Sequence, residues 1–339
     1  MSKHLFARVA AGFALCAAAL SASAAGGYSG LVVFGDSLSD SGNNATLLAV
    51  AHGGAAPAVD LLGNGHFSKL TSAAGTYSDG KVWTQYLAES LHLPLLPSVL
   101  GGNNYAFGGA QTGVDGTETA DGFPYSMTTQ LAHYLGTAPA TLDAGSLYIV
   151  AGGGNNVRAL LETLAADPAA NATDAQAAFA ATVAGYATDM AGIVGGLRSR
   201  GAQHVLVMNT PDFGLTPLAR ATGSTGAATQ LSWAMNQALD AALAGSGTPV
   251  FDMFSFLQAA VQSPAFSNTT DACGAAANHC DTATALFWDG IHPTTFAHQQ
   301  LAAAVLATPV PEPRSAVLLA LGLAALALGR RRQAARQPR

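Results

Sequence analysis

The chain has 339 residues, of which 50% are hydrophobic, 10% charged and 7% aromatic, and its formal net charge is −6 at pH 7. Between residues 25 and 309 only six Lys and Arg face nineteen Asp and Glu. That excess of acid argues against nucleic acid and against an anionic membrane surface as partners, and the length of this stretch suits one α/β domain.

In chain order, residues 1–24 come first. Lys3 and Arg8 flank the start, an apolar run covers Val9–Leu20, and Ala22-Ser23-Ala24 follows. This is the layout of a secretory signal peptide with cleavage near Ala24 or Ala25. The apolar run is short for a membrane span, and Leu15 stands before Cys16 where a lipoprotein signal wants a small residue.

The first strand is expected at Leu31–Phe34, running straight into Gly35-Asp36-Ser37-Leu38 and a polar cluster, Ser39-Asp40-Ser41-Gly42-Asn43-Asn44. Val82–Leu91 has helical spacing, with Trp83, Leu87 and Leu91 on one side. Asn103–Phe107 reads as a short second strand, Met127–Leu135 as a helix and Leu147–Ala151 as a third strand. A long Ala-rich helix is expected over Asp174–Arg198, a fourth strand at Val205–Met208 and a helix at Ala227–Leu243. A short fifth strand at Val250–Phe251 and a closing helix at Thr295–Ala307 complete the series. Apolar strands separated by helical stretches predict a three-layer α/β/α sandwich with a central parallel sheet. Sites in such sheets form beyond the C-terminal strand ends. Two Gly-rich insertions, residues 51–78 and 112–124, are candidate loops over a site.

After the domain, Pro311-Glu312-Pro313 breaks the helix, Ser315–Gly329 is an uncharged apolar run of fifteen residues, and Arg330-Arg331-Arg332 follows. The order of motif, apolar run and basic cluster resembles a PEP-CTERM sorting tail. The resemblance implies a transient inner-membrane anchor with its arginines in the cytoplasm, processing by an exosortase-type enzyme, and export in a Gram-negative bacterium to the periplasm, cell surface or extracellular matrix. Cysteine use points to the same compartment. Cys273 and Cys280 remain once the signal is removed, and such a pair in an oxidising compartment forms a disulfide. A metal site built with His279 and Asp281 is the rival reading, but adjacent ligands converge poorly.

Ser37 stands where the first strand ends, which suits either a turn or a nucleophile. "FWDGIHPTTFAH" puts Asp289 and His292 three apart, directly before a helix. A hydroxyl nucleophile needs a base, and the base needs a carboxylate to hold its tautomer and stabilise the imidazolium. Acyl transfer also needs donors for the developing oxyanion. Gly108 or Gly109 in "NNYAFGGAQTG" can offer a backbone N–H, and Asn155 or Asn156 in "LYIVAGGGNNVRALL" a side-chain amide. No Gly-x-Ser-x-Gly elbow occurs, which argues against an α/β-hydrolase. Ser78-Asp79-Gly80-Lys81 fits Ser-x-x-Lys but lacks companion motifs.

These signals in this order resemble the GDSL, or SGNH, lipases and esterases. The resemblance runs through Gly35-Asp36-Ser37-Leu38, Tyr77–Ser98, "NYAFGGA" at Asn104–Ala110, "MNTPDFGLTPLAR" at Met208–Arg220 and "NTTDAC" at Asn268–Cys273. It implies a flavodoxin-like fold and a serine esterase without metal or cofactor, acting on lipid or small-alcohol acyl esters. Polysaccharide O-acetyl esters are the runner-up, and a catalytically dead surface binding protein is a third reading. Carried over position by position, Ser37 is the nucleophile, His292 the base and Asp289 its orienting acid. The oxyanion hole is the N–H of Ser37, the N–H of Gly109 and the side chain of Asn155. The third block usually reads Gly-x-Asn-Asp, whereas here Asn156 takes the place of the Asp.

Overall fold

The computed structural model describes residues 27–54, 61, 63, 65, 67–167, 171–308 and 322. The expected signal peptide and nearly all of the expected sorting tail lie outside the described residues.

Four parallel strands, β1 (Leu31–Gly35), β2 (Leu147–Ala151), β3 (His204–Met208) and β4 (Val250–Phe251), lie side by side in sequence order. Leu31 pairs with Leu147, and Leu147 with His204. β1 and β2 are buried at every position, as expected for strands covered on both faces.

The helices are α1 (Asn43–Ala51), α2 (Trp83–Ser90), α3 (Met127–Thr137), α4 (Gly154–Ala166), α5 (Ala172–Ser199), α6 (Pro217–Ala221), α7 (Thr225–Leu243), α8 (Met253–Gln262) and α9 (Thr295–Leu306). Side chains alternate across a strand, and this sheet divides its core accordingly. Val32, Phe34, Tyr148, Val150, Val205 and Val207 pack with Tyr186, Met190, Ile193 and Leu197 of α5 and Leu231, Met235 and Leu239 of α7. Leu31, Val33, Leu147, Ile149, Leu206 and Met208 face Trp83 and Leu87 of α2 and Leu301, Ala302 and Val305 of α9. The α/β/α expectation holds.

The second expected strand, Asn103–Phe107, is a correction. It lies parallel to β1, with Tyr105 N donating to Val33 O (2.7 Å) and Phe107 N to Gly35 O (3.1 Å), but forms only isolated bridges. On its outer side Asn104 Oδ1 accepts the Ala106 N–H at 2.9 Å, and Asn104 N donates to Leu96 O. The edge is closed by its own side chain and a neighbouring loop instead of a strand. Counted with this segment, the spatial order is 2-1-3-4-5. The chain therefore reverses direction beside β1, and a crevice opens at such a switch point.

Candidate active site

Gly35 ends β1 under tight constraint. A Cβ there would stand 2.6 Å from Ala151 O, and the Gln130 amide clamps both Gly35 N (2.9 Å) and Gly35 O (2.8 Å). Beyond it the backbone turns, with Ser39 N and Asp40 N both donating to Asp36 O. Ser37 is presented at the top of this turn.

The polar cluster that follows is largely structural. The Asp40 carboxylate accepts from Gly42 N, Asn43 N, Asn44 N and Gly108 N. Asn43 Nδ2 donates to Asn104 O and Ala106 O, and Asn44 Nδ2 to Tyr77 Oη and Gly108 O. These bonds tie the serine turn to the glycine block beside it. Burial pushes the Asp40 carboxyl up to about 6 against the pull of those four N–H groups. It pushes Asp36 up to about 6 as well, partly countered by the Leu38 N–H and by His292.

His292 and Asp289 precede α9 in a loop folded on itself, with Trp288 N donating to His292 O at 2.8 Å. His292 Nε2 lies 2.8 Å from Ser37 Oγ, and its Nδ1 lies 2.7 Å from Asp289 Oδ2. All three residues are buried. Asp289 Oδ1 accepts the N–H groups of Ile291 and His292, and Oδ2 also accepts Ser68 N at 3.1 Å. The Tyr77 ring lies 5.2 Å from the imidazole at 33°. A Cβ on Gly108 would come within 2.2 Å of that ring, so a glycine there lets Tyr77 back the histidine. An imidazole so held can take the Ser37 proton.

The expected oxyanion donors converge on the same place. Ser37, Gly109, Asn155 and His292 line one cleft of about 210 Å³. Among the described residues the N–H groups of Ser37 and Gly109 have no acceptor. Asn155 Nδ2 gives one proton to Ala110 O (3.0 Å), which leaves the other, while Asn155 Oδ1 accepts from Arg158 Nη2 at 3.2 Å.

This arrangement coincides with a sequence likeness. The model of the GDSL-like Lipase/Acylhydrolase family matches residues 31–305, well over half of the chain. The chain belongs to this family. Among curated proteins, Lipase 1 of Photorhabdus luminescens is 29% identical over 191 residues, covering 56% of this chain and 23% of that protein. A GDSL esterase/lipase of Arabidopsis thaliana is 36% identical over 80 residues, covering 24% of this chain and 20% of that protein. The chain thus spans about a quarter or less of these relatives' lengths. A solved acetylxylan esterase of Geobacillus stearothermophilus is 12% identical, covering 84% of this chain and 98% of that one, with a TM-score of 0.45.

In this GDSL-family chain, Asn156 turns away from Asn155. Its Oδ1 accepts from Thr112 N (3.1 Å) and its Nδ2 donates to Thr112 Oγ1 (3.0 Å), which in turn donates to Asp189 Oδ2 (2.8 Å). Asp189 is thus linked to Asn156 through the Thr112 hydroxyl. Both Gly-rich insertions reach the cleft, through Ser68 and Lys69 and through Gly116, Thr117 and Glu118. Trp83 and Trp288 are buried, and Cys273 and Cys280 are joined, their Cα atoms 5.2 Å apart. Sequence reasoning missed Ser68, Tyr77 and Arg158 as parts of the site. Ser68 and Tyr77 act across the fold on Asp289 and His292, while Arg158 lies three residues from Asn155, in a stretch read only for its amides.

Proposed function

We propose that this chain hydrolyses carboxylic esters through an acyl-enzyme on Ser37. The observation that carries the reading is the unbroken chain of hydrogen-bond distances from Ser37 Oγ through His292 to Asp289. Ser37 Oγ attacks the ester carbonyl while His292 Nε2 takes its proton. The tetrahedral oxyanion is met by the N–H groups of Ser37 and Gly109 and the second N–H of Asn155. His292 returns the proton to the leaving alkoxide, and water repeats the sequence on the acyl-enzyme. Asp289 keeps the imidazole in the needed tautomer.

A fluorophosphonate should label Ser37 stoichiometrically. Ser37→Ala and His292→Ala should each remove most hydrolysis, with the double variant little worse, because the residues act as a unit. Additive losses, or labelling elsewhere, would refute the assignment.

We also propose that the protein is exported and carries a processed sorting tail. The signal-like residues 1–24, the joined cysteines and the order of features after residue 310 support this. Residues 308–339 fused to a passenger should direct it to the envelope of an exosortase-bearing host and be cleaved there. Equal processing after replacement of Pro311-Glu312-Pro313 would sink the proposal.

A further inference from the structure

Ser37 stands between two unlike spaces. One is a small cavity of about 60 Å³ whose walls include Pro211, Phe213, Met253, Phe256, Leu257 and Phe287. The other is the cleft of about 210 Å³, whose walls include Asn44, Phe67, Lys69, Glu118, Phe123 and Arg158. Ser37, Asn155, Ile291 and His292 border both. Resting on the ester-hydrolase reading above, we infer that the two halves of the substrate are divided between these spaces. A short acyl group enters the apolar cavity, and a polyhydroxylated alcohol such as a sugar occupies the cleft.

The cavity is selected for the acyl half by its chemistry and by its size. Besides the residues at its mouth, its polar lining is Asp36, Thr216 and His298, all buried. The Thr216 hydroxyl is spent on Phe213 O, and Asp36 Oδ1 on Leu38 N. The two ring nitrogens of His298 have no hydrogen-bond partner, but most of the wall is apolar, so an alcohol rich in hydroxyls would lose more hydration there than it regains. At about 60 Å³ against about 210 Å³, the cavity is also much the smaller of the two spaces, which suits a short acyl chain. Each methylene that fits is worth about fourfold in transition-state binding.

The cleft has the opposite character. Phe67 and Phe123 offer ring surfaces, and Lys69, Glu118 and Arg158 offer charged groups around them. Arg158 itself lies over the Phe67 ring, 5.1 Å from its centroid. A sugar presents apolar C–H faces bordered by hydroxyls, which suits such a mixed wall. A hydrocarbon alcohol would leave the charged groups facing an apolar surface.

The test uses the purified protein and p-nitrophenyl esters from acetyl to decanoyl. It adds a matched pair, methyl 6-O-butyrylglucoside and butyl butyrate. The expected result is a kcat/KM maximum between acetyl and butyryl, with octanoyl at least tenfold lower, and the sugar ester preferred over butyl butyrate by at least fivefold. Leu257→Ala should move the optimum by two or more carbons, and Phe256→Ala, at a half-buried position, serves if the first variant does not fold. Glu118→Gln should reduce the preference for the sugar ester over butyl butyrate. An optimum at octanoyl or beyond, or no preference for the sugar ester, overturns this inference while leaving the esterase reading intact. If no ester is cleaved and Ser37 is not labelled, both fall.

Discussion

Asn155 has both ends of its amide engaged, which decides the direction of its remaining proton. Arg158 Nη2 donates to Oδ1, so the nitrogen faces the other way, and Ala110 O takes one of its two protons. Arg158 is held in turn by Glu162, at 2.9 and 3.1 Å from Nη1. A donor aimed at the oxyanion helps the transition state more than the bound ester, so Asn155→Ala should lower kcat by about 10²–10³ with KM little changed. Arg158→Ala frees the amide to rotate and should lower kcat by about tenfold, the worth of a hydrogen bond to a charged group. Combined with Asn155→Ala it should add little, since there is then nothing left to orient. Full additivity in that double-mutant cycle would separate Arg158 from the donor. Asn156→Asp should stay within about tenfold of the parent, because position 156 reaches the Thr112 loop and not the oxyanion. At this scale the sequence was legible where two residues of paired chemistry share a motif, but not where Arg158 reaches the Asn155 amide three residues away, since an Arg on a helix carries no sign of its partner. Asp289 holds His292 three residues away, so one turn of chain displays both. Ser68 reaches Asp289 from 221 residues upstream, and no local spacing can reveal that contact.

The elements obey the same logic of local against distant signals. β1, β2, β3 and β4 were readable because each is an apolar run, and α2, α3, α5, α7 and α9 because their apolar residues recur or their composition favours helix. Four helices were not expected. α1 has no strongly apolar face, α6 is only five residues long, and α8 starts a single residue after β4. The fourth, α4, matters most, because glycines are poor helix formers, yet the helix begins at Gly154 and carries Asn155 on its first turn. Gly153 makes that start possible. Its φ is 122°, and a Cβ there would lie 2.1 Å from Thr210 Oγ1 and 2.7 Å from the Tyr186 ring. Gly153→Ala should therefore cost about 1–3 kcal/mol in backbone strain alone, with a further loss from the clash. Because the helix start has to shift, kcat measured well below Tm should fall more than KM rises. A lower Tm with unchanged kcat would show that Asn155 is positioned from elsewhere.

Across the whole molecule, three buried ionisable side chains near the site are displaced from their usual ranges in directions that oppose each other in acid. Burial lifts Asp36 and Asp40 to about 6, above the ordinary 3.8. Between about 4 and about 6 the native chain therefore keeps protons that the unfolded chain has lost. This contribution is fully present below about 3.8 and is lost as pH rises through about 6. His298, buried in α9, goes the other way. Burial, with a smaller effect from His292, holds it at about 3, below the ordinary 6.5. The unfolded chain takes up a proton on this residue below about 6.5, while the native chain refuses it until about 3. Its contribution is present above about 6.5 and is lost as pH falls, by about 1.4 kcal/mol for each pH unit. His298→Phe removes that penalty and leaves the two aspartates alone. Loss or gain of packing shifts the variant's stability by an amount that pH does not change. The difference between variant and parent should therefore move in the variant's favour by about 1.4 kcal/mol per unit from about pH 6.5 down to about pH 4. Urea denaturation of both proteins at three pH values in that range measures it, with the other titrating groups common to both chains and cancelling. A difference that stays constant with pH would mean that His298 takes up its proton in the native protein as readily as in the unfolded chain.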